Sequence, residues 1–256
     1  MEQRERVLIV SVQTTQTDDD FAYANQELAQ LVDTAMGEVV ATVTQKRESI
    51  SGRTLVGKGK VEEISHLVDE LEVDLVVFYQ SLTGSMVKNL NESISCRIID
   101  RVQLILDIFA MRARSKEGKL QVQLAQLNYL LPRLSGQREG LSRQGGGIGT
   151  RGPGETRLET DRRYIRKQIQ DIEEQLEQIK KHRERSREKR KSSNGFQLGL
   201  IGYTNAGKST ILNQLTQAGT YQMDQLFATL DPLTRQVDLF PNFEVTLTDT
   251  VGFIQI

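Results

Sequence analysis

The chain has 256 residues, of which 38% are hydrophobic and 26% charged, and its formal net charge is −1. This composition supports a packed soluble core in one or two domains with room for a third segment, and the single Cys96 excludes an internal disulfide and fits a reducing, cytoplasmic setting. His66 and His182 stand far apart with no cysteine cluster, which argues against zinc, and no apolar run approaches the roughly 20 residues of a membrane helix.

The opening "MEQRERVLIVSVQ" carries an apolar run too short for a signal peptide and reads as a first strand. "EVVATVT", "DLVVFYQ" and "CRIID" read as further strands, and 20–35, 58–71 and 84–94 as the helices between them. Alternation of this kind implies a small parallel α/β sheet, here assigned to residues 1–103. In "VGKGKVEEI", Gly57 and Gly59 precede a helix; their amides could hold a phosphate, but a tight turn is the stronger reading.

Residues 104–193 differ in kind. Apolar residues at 120, 124, 127, 130, 131 and 134 have helical spacing. Leu158, Ile165, Ile169, Ile172, Leu176 and Ile179 follow a heptad seam, so an antiparallel helical hairpin is expected. The joining stretch, 136–155, has eight glycines with Arg138, Arg143 and Arg151 among them. Glycine allows close backbone approach and arginine binds phosphate bidentately, so the stretch reads as a probe for folded RNA, with a flexible linker as the alternative. Charge supports a polyanion contact: residues 101–193 carry 22 basic and 12 acidic side chains, whereas 1–100 carry 9 and 17. The run "KKHRERSREKRK" (180–191) fits a solvated helix end as well as it fits nucleic acid.

The last segment, 194–256, carries the chemistry. Gly202, Gly207, Lys208 and Ser209 fit G-x-x-x-x-G-K-[ST], between a predicted strand (196–201) and a predicted helix (209–217). Backbone amides from Tyr203 through Thr204, Asn205, Ala206 and Gly207 to Thr210 would cradle phosphate oxygens, Lys208 would neutralise the β and γ phosphates, and Ser209 would ligate magnesium. Asp249 follows a predicted strand and opens D-x-x-G, with Thr250, Val251 and Gly252; it would hold magnesium through water, with Gly252 beside the γ-phosphate. The loop Phe227, Ala228, Thr229, Leu230 and Asp231 lies between the two motifs, and Thr229 there can ligate magnesium and sense the γ-phosphate. Lys208, Thr229 and Gly252 are the expected catalytic positions. Strands 235–240 and 243–249 should form a hairpin through "PN", with 196–201 pairing to the latter. Leu198, Leu200, Ile201, Val245 and Leu247 are expected to stay partly uncovered.

A loop threonine followed by D-x-x-G resembles translation-factor-related GTPases. Together with "GKGKVEEI", "SRQGGGIGTRGPGETRLETDRR", "GYTNAGKST", "FATLDP" and "DTVGF", the chain resembles the HflX family of ribosome-associated GTPases over nearly its whole length. The resemblance implies an N-terminal α/β domain, a helical hairpin and a P-loop GTPase domain. It also implies GTP and magnesium as cofactors, a cytoplasmic monomer, contact with the RNA of the large ribosomal subunit, and splitting of stalled or idle ribosomes under stress. The guanine-recognising N-K-x-D motif is absent from these residues, so the chain reads as an N-terminal portion. ATP in place of GTP, and an RNA-binding module with an idle nucleotide site, stay open. Phe253 stands where related GTPases place a water-orienting glutamine, so unaided hydrolysis should be slow. Asn205 resembles the asparagine of potassium-activated GTPases, which adds K+ to the expected cofactors.

Overall fold

The computed structural model describes residues 4–134, 153–191, 196–204, 206–216, 233–240 and 243–253. Close packing divides the chain into two units, one of residues 1–107 and 125–169, the other of 108–124 and 170–256.

In the first unit, strand β1 (Glu5–Gln13) is followed by helix α1 (Asp18–Thr34), β2 (Gly37–Lys46), α2 (Lys58–Glu70), β3 (Leu75–Phe78), α3 (Gly84–Asn91) and β4 (Arg97–Asp100). The sheet order is β2-β1-β3-β4, and every pairing is parallel. β1 and β3 lie inside the sheet and are covered on both faces, which explains their unbroken apolar runs. Leu8, Val10, Val12, Val76 and Phe78 pack with Val61, Ile64 and Val68 of α2 and Met86 and Leu90 of α3. Leu28, Leu31 and Val32 bury the inner stripe of α1. Local chemistry sets the helix starts. Thr17 caps α1 by accepting from the Asp20 amide at 3.2 Å, and Asp18–Asp20 place negative charge at its positive end. Thr83 caps α3 in the same way.

The turn before α2 is structural: the Gly57 amide donates to Gln45 Oε1 at 2.9 Å, so a protein side chain already uses it. The carboxyl ends of β1 and β3, where doubly wound sheets often take ligands, are closed by Gln80, whose side chain pairs with both the amide and the carbonyl of Val12.

Helix α4 (Arg101–Arg112) leaves β4 without a turn, and α5 (Lys116–Arg133) follows. A buried polar cluster fastens the end of α5 to the sheet. Asp100 is 0% exposed and accepts from the Leu82 amide (2.9 Å), the Gln103 amide (3.0 Å) and Arg133 Nη2 (3.1 Å). The Arg133 guanidinium lies over the Tyr129 ring, 3.4 Å from its centroid. Burial, and then the adjacent Asp100 carboxylate, hold the Tyr129 phenol protonated well above its usual range. Beside this cluster Arg101 pairs with Glu27 at 2.8 Å, both largely buried.

Gly84 permits the approach of α5: a Cβ there would stand 2.4 Å from the Arg133 carbonyl oxygen. Gly84→Ala is therefore expected to destabilise the first unit by about 1–3 kcal/mol. A urea midpoint equal to the parent's would show that the end of α5 is not held against α3.

Helix α6 (Pro153–Lys191) runs from the first unit into the second, where Arg183 near its C-terminus pairs with Glu117 near the start of α5, as an antiparallel hairpin requires. Ile172 is buried, and Leu176 and Ile179 are half-buried; in the first unit Ile165 is buried and Ile169 half-buried, so these heptad positions turn inward. Then come β5 (Phe196–Leu200), α7 (Lys208–Thr216), β6 (Leu233–Phe240) and β7 (Phe243–Asp249). β5 pairs parallel and β6 antiparallel with the central β7, as expected. The expected exposure of apolar residues holds for Leu198 and Ile201 but not for Val245 and Leu247. Those two are buried, because β7 is the middle strand and Leu212 of α7 packs on them with Val237.

Candidate nucleotide-binding site

β5 delivers the chain to a tight loop at Gly202, and α7 begins at Lys208. The loop turns through Gly207 at φ +81°, a conformation that favours glycine, so the second glycine of the motif is a backbone requirement. α7 then presents its first amides, including those of Ser209 and Thr210, at the loop. The Lys208 ammonium curls back over the loop and donates to the carbonyls of Gly202 (3.1 Å) and Tyr203 (2.6 Å). It is thus held above the cradle instead of swinging in solvent.

β7 brings the second motif to the same place. Asp249 is 1% exposed, and its Oδ2 accepts from Ser209 Oγ at 2.7 Å across 40 positions of sequence. A hydroxyl and a buried carboxylate in contact form a hard oxygen pair suited to magnesium, which typically takes one or two protein ligands and completes its shell with phosphate and water. Among the described residues no cluster of three or more His, Cys, Asp or Glu could hold a metal alone. The Ser209–Asp249 oxygen pair fits a metal carried with a phosphate.

Beyond Asp249 the chain runs against the phosphate loop. The Thr250 hydroxyl donates to the Leu200 carbonyl at 2.6 Å. The Thr204 amide donates to the Phe253 carbonyl (2.8 Å), and the Phe253 amide to the Gly202 carbonyl (3.1 Å). These bonds make Tyr203 and Phe253 a short parallel bridge that extends the sheet past its strands. Gly252 sits inside this contact, and a Cβ there would meet the Thr204 backbone at 2.7 Å. Gly252→Ala is expected to force the two loops apart and weaken triphosphate binding at least about tenfold, the equivalent of 1.4 kcal/mol. Calorimetric titration checks this; unchanged affinity would separate Gly252 from the site.

The structure thus gathers Gly202, Tyr203, Thr204, Ala206, Gly207, Lys208, Ser209, Asp249, Thr250, Val251 and Gly252 around one loop, with Thr210 on the first turn of α7. Asn205, and the stretch Phe227, Ala228, Thr229, Leu230 and Asp231, lie outside the described residues, as do Arg138, Arg143 and Arg151. The link from Thr250 to Leu200 had no signal in the sequence, because it depends on the pairing of β5 with β7.

Residues 22–110 match the family described as GTP-binding GTPase N-terminal, 112–190 the GTP-binding GTPase Middle Region, and 197–256 the 50S ribosome-binding GTPase. Among solved structures, a crystal structure of SsGBP with GDP aligns with a TM-score of 0.54 at 25% identity, over 99% of this chain and 64% of that one. A GTP-binding protein of Sulfolobus solfataricus in complex with GDP shares the fold, with a TM-score of 0.50 at 22% identity, over 99% of this chain and 62% of that one. Fold and loop place the last segment in the P-loop class. GTPase HflX of Alkalihalophilus pseudofirmus is 60% identical over 251 residues, and that of Escherichia coli K12 46% identical over 251. The chain belongs to the HflX GTPase family. The alignments take in 98% of this chain but 59% and 58% of those two relatives.

Proposed function

We propose that this chain contributes the N-terminal domain (1–103), the helical hairpin (104–193) and the phosphate-binding part (194–256) of a GTP hydrolase that acts on the large ribosomal subunit and splits stalled or idle ribosomes. The observation that carries the reading is the Ser209–Asp249 contact of 2.7 Å, next to a Lys208 whose ammonium is held by the Gly202 and Tyr203 carbonyls. Such a constellation suits a magnesium-bound nucleoside triphosphate, and family membership favours guanine.

In this reading Lys208 and the loop amides bind the β and γ phosphates, and Ser209 and Asp249 hold the metal, Asp249 through water. Thr229 and Gly252 sense the γ-phosphate. Magnesium, when bound, offsets the negative charge between the phosphates. Phe253 is exposed and has no side-chain group to orient water, so that group comes from the ribosome, while potassium held by Asn205 would take the charge-stabilising place of an arginine finger. No described helix is long and apolar enough to cross a membrane, and the setting proposed is cytoplasmic.

The test uses the protein carried to the full length of its relatives. GTP turnover is expected to be slow alone, to rise on adding purified large subunits, and to be faster in potassium than in sodium. Replacing Arg138, Arg143 and Arg151 with Gln should weaken subunit binding and flatten its salt dependence, because each lost phosphate contact releases fewer counterions. Turnover indifferent to subunits would remove the ribosomal part, and no turnover in either state would remove the hydrolase.

A further inference from the structure

Strands β5 and β7 part with a change of register. Their parallel ladder keeps one offset from Phe196 with Val245 to its last pair, Leu200 with Asp249. Past the strands, the next bridge pairs Tyr203 with Phe253. Between these two fixed points one chain contributes Ile201 and Gly202, and the other Thr250, Val251 and Gly252. One spare residue on one side is the arithmetic of a bulge, a device that is rare in parallel pairs and recurs beside active sites. The bend brings Gly252 against Thr204 of the phosphate loop, so close that a Cβ would meet the Thr204 backbone at 2.7 Å.

The two ends of the bulge are held by different means. At the far end the backbone does it: the Phe253 amide donates to the Gly202 carbonyl at 3.1 Å, and the Phe253 carbonyl accepts from the Thr204 amide at 2.8 Å. At the near end a side chain supplies the rung. The Thr250 hydroxyl donates to the Leu200 carbonyl at 2.6 Å, one residue beyond the last ladder pair. Thr250 is half-buried, and its proton is committed to β5.

We infer that Thr250 is a positioning residue: its hydroxyl pins the root of the turn and so holds the Gly252 backbone where a γ-phosphate would lie. The inference rests on the reading of the loop as a triphosphate site and names what keeps the γ-phosphate side of it in place. Without the hydroxyl the spare residue is free to run out into the strand, and Gly252 shifts by as much as one residue step, about 3.3 Å. A hydrogen bond does not survive a shift of that size. The inner phosphates are held by the loop amides and Lys208, which this change leaves in place. Loss of the pin therefore falls on the triphosphate and spares the diphosphate. A merely structural hydrogen bond would weaken both alike.

The experiment compares Thr250→Val, which keeps the side-chain shape and removes the donor, with Thr250→Ser, which keeps the donor. In the protein carried to the full length of its relatives, calorimetry measures affinity for GDP and for a β,γ-imido analogue of GTP. Thr250→Val is expected to lower the ratio of triphosphate to diphosphate affinity at least about tenfold, the share of one hydrogen bond to a charged group. GDP affinity should stay within about twofold of the parent's, and Thr250→Ser should keep the parent's ratio. Equal losses for both nucleotides, an unchanged ratio in Thr250→Val, or a Thr250→Ser no better than Thr250→Val would overturn the inference. Amide hydrogen exchange of this chain without nucleotide, read by NMR, tests the pin apart from the nucleotide reading. The Phe253 amide should be protected in the parent and in Thr250→Ser, and should exchange at least about tenfold faster in Thr250→Val. Equal protection in all three would remove the pin. A parent indifferent to the γ-phosphate would remove the triphosphate reading, and a Phe253 amide that opens in Thr250→Val alone would still uphold the pin.

Discussion

Lys208→Ala is expected to weaken magnesium–GTP binding about 30-fold to several thousand-fold, the range for removing one partner of an enclosed charge pair, about 2–5 kcal/mol. The reason is positional as well as electrostatic. The Lys208 ammonium is already held by the carbonyls of Gly202 and Tyr203, so little freedom remains to be lost when phosphate arrives. Its removal should leave the fold intact, because α7 is anchored by Leu212 in the core with Val237, Val245 and Leu247. Calorimetry should therefore show lost affinity beside an unchanged circular dichroism spectrum. Lys208→Arg is not expected to rescue binding, since a planar fork cannot replace a compact ammonium in a loop this tight. Parent-like affinity in Lys208→Ala would mean that the phosphates sit elsewhere.

Asp100→Ala should have the largest effect on stability, about 3–5 kcal/mol, because it leaves a partly buried guanidinium without its partner. The Leu82 and Gln103 amides lose their acceptor in the same step. Urea denaturation followed by circular dichroism reads this as a large fall in the midpoint of the first unit. Removing both charges gives the sharper test. Asp100→Ala/Arg133→Met should be clearly more stable than Asp100→Ala alone, because the stranded cation is gone. A double variant no better than the single one would show that the lost amide contacts, and not the ion pair, fasten α5 to the sheet.

The sequence revealed what is local. The apolar runs of β1, β3 and β4 were legible because strands buried on both faces need them. The phosphate loop was legible because strand, glycine turn and helix follow one another without interruption. Helix α4 was not recognised as an element of its own. It starts directly after β4, and its start signal is Asp100, which accepts from the Gln103 amide while serving the buried cluster. A residue with two duties does not advertise either. The burial of Val245 and Leu247 was misjudged because it depends on which strand lies in the middle of the sheet and on where Leu212 falls. The contacts that couple the two motifs join groups about 50 residues apart: the Thr250 hydroxyl meets the Leu200 carbonyl and the Thr204 amide meets the Phe253 carbonyl, and backbone acceptors of this kind are announced by no residue type.

The central claim is that Ser209 and Asp249, together with Lys208, form a magnesium-dependent triphosphate site, and titration of this chain with fluorescent GTP in the presence and absence of magnesium tests it most directly. Binding is expected in magnesium, to be lost on chelation with EDTA, and to weaken in Ser209→Ala. Unlabelled GTP and ATP should compete to a similar degree, since N-K-x-D is not among these residues. Binding that persists without magnesium, and in Ser209→Ala as well as in the parent, would contradict the account.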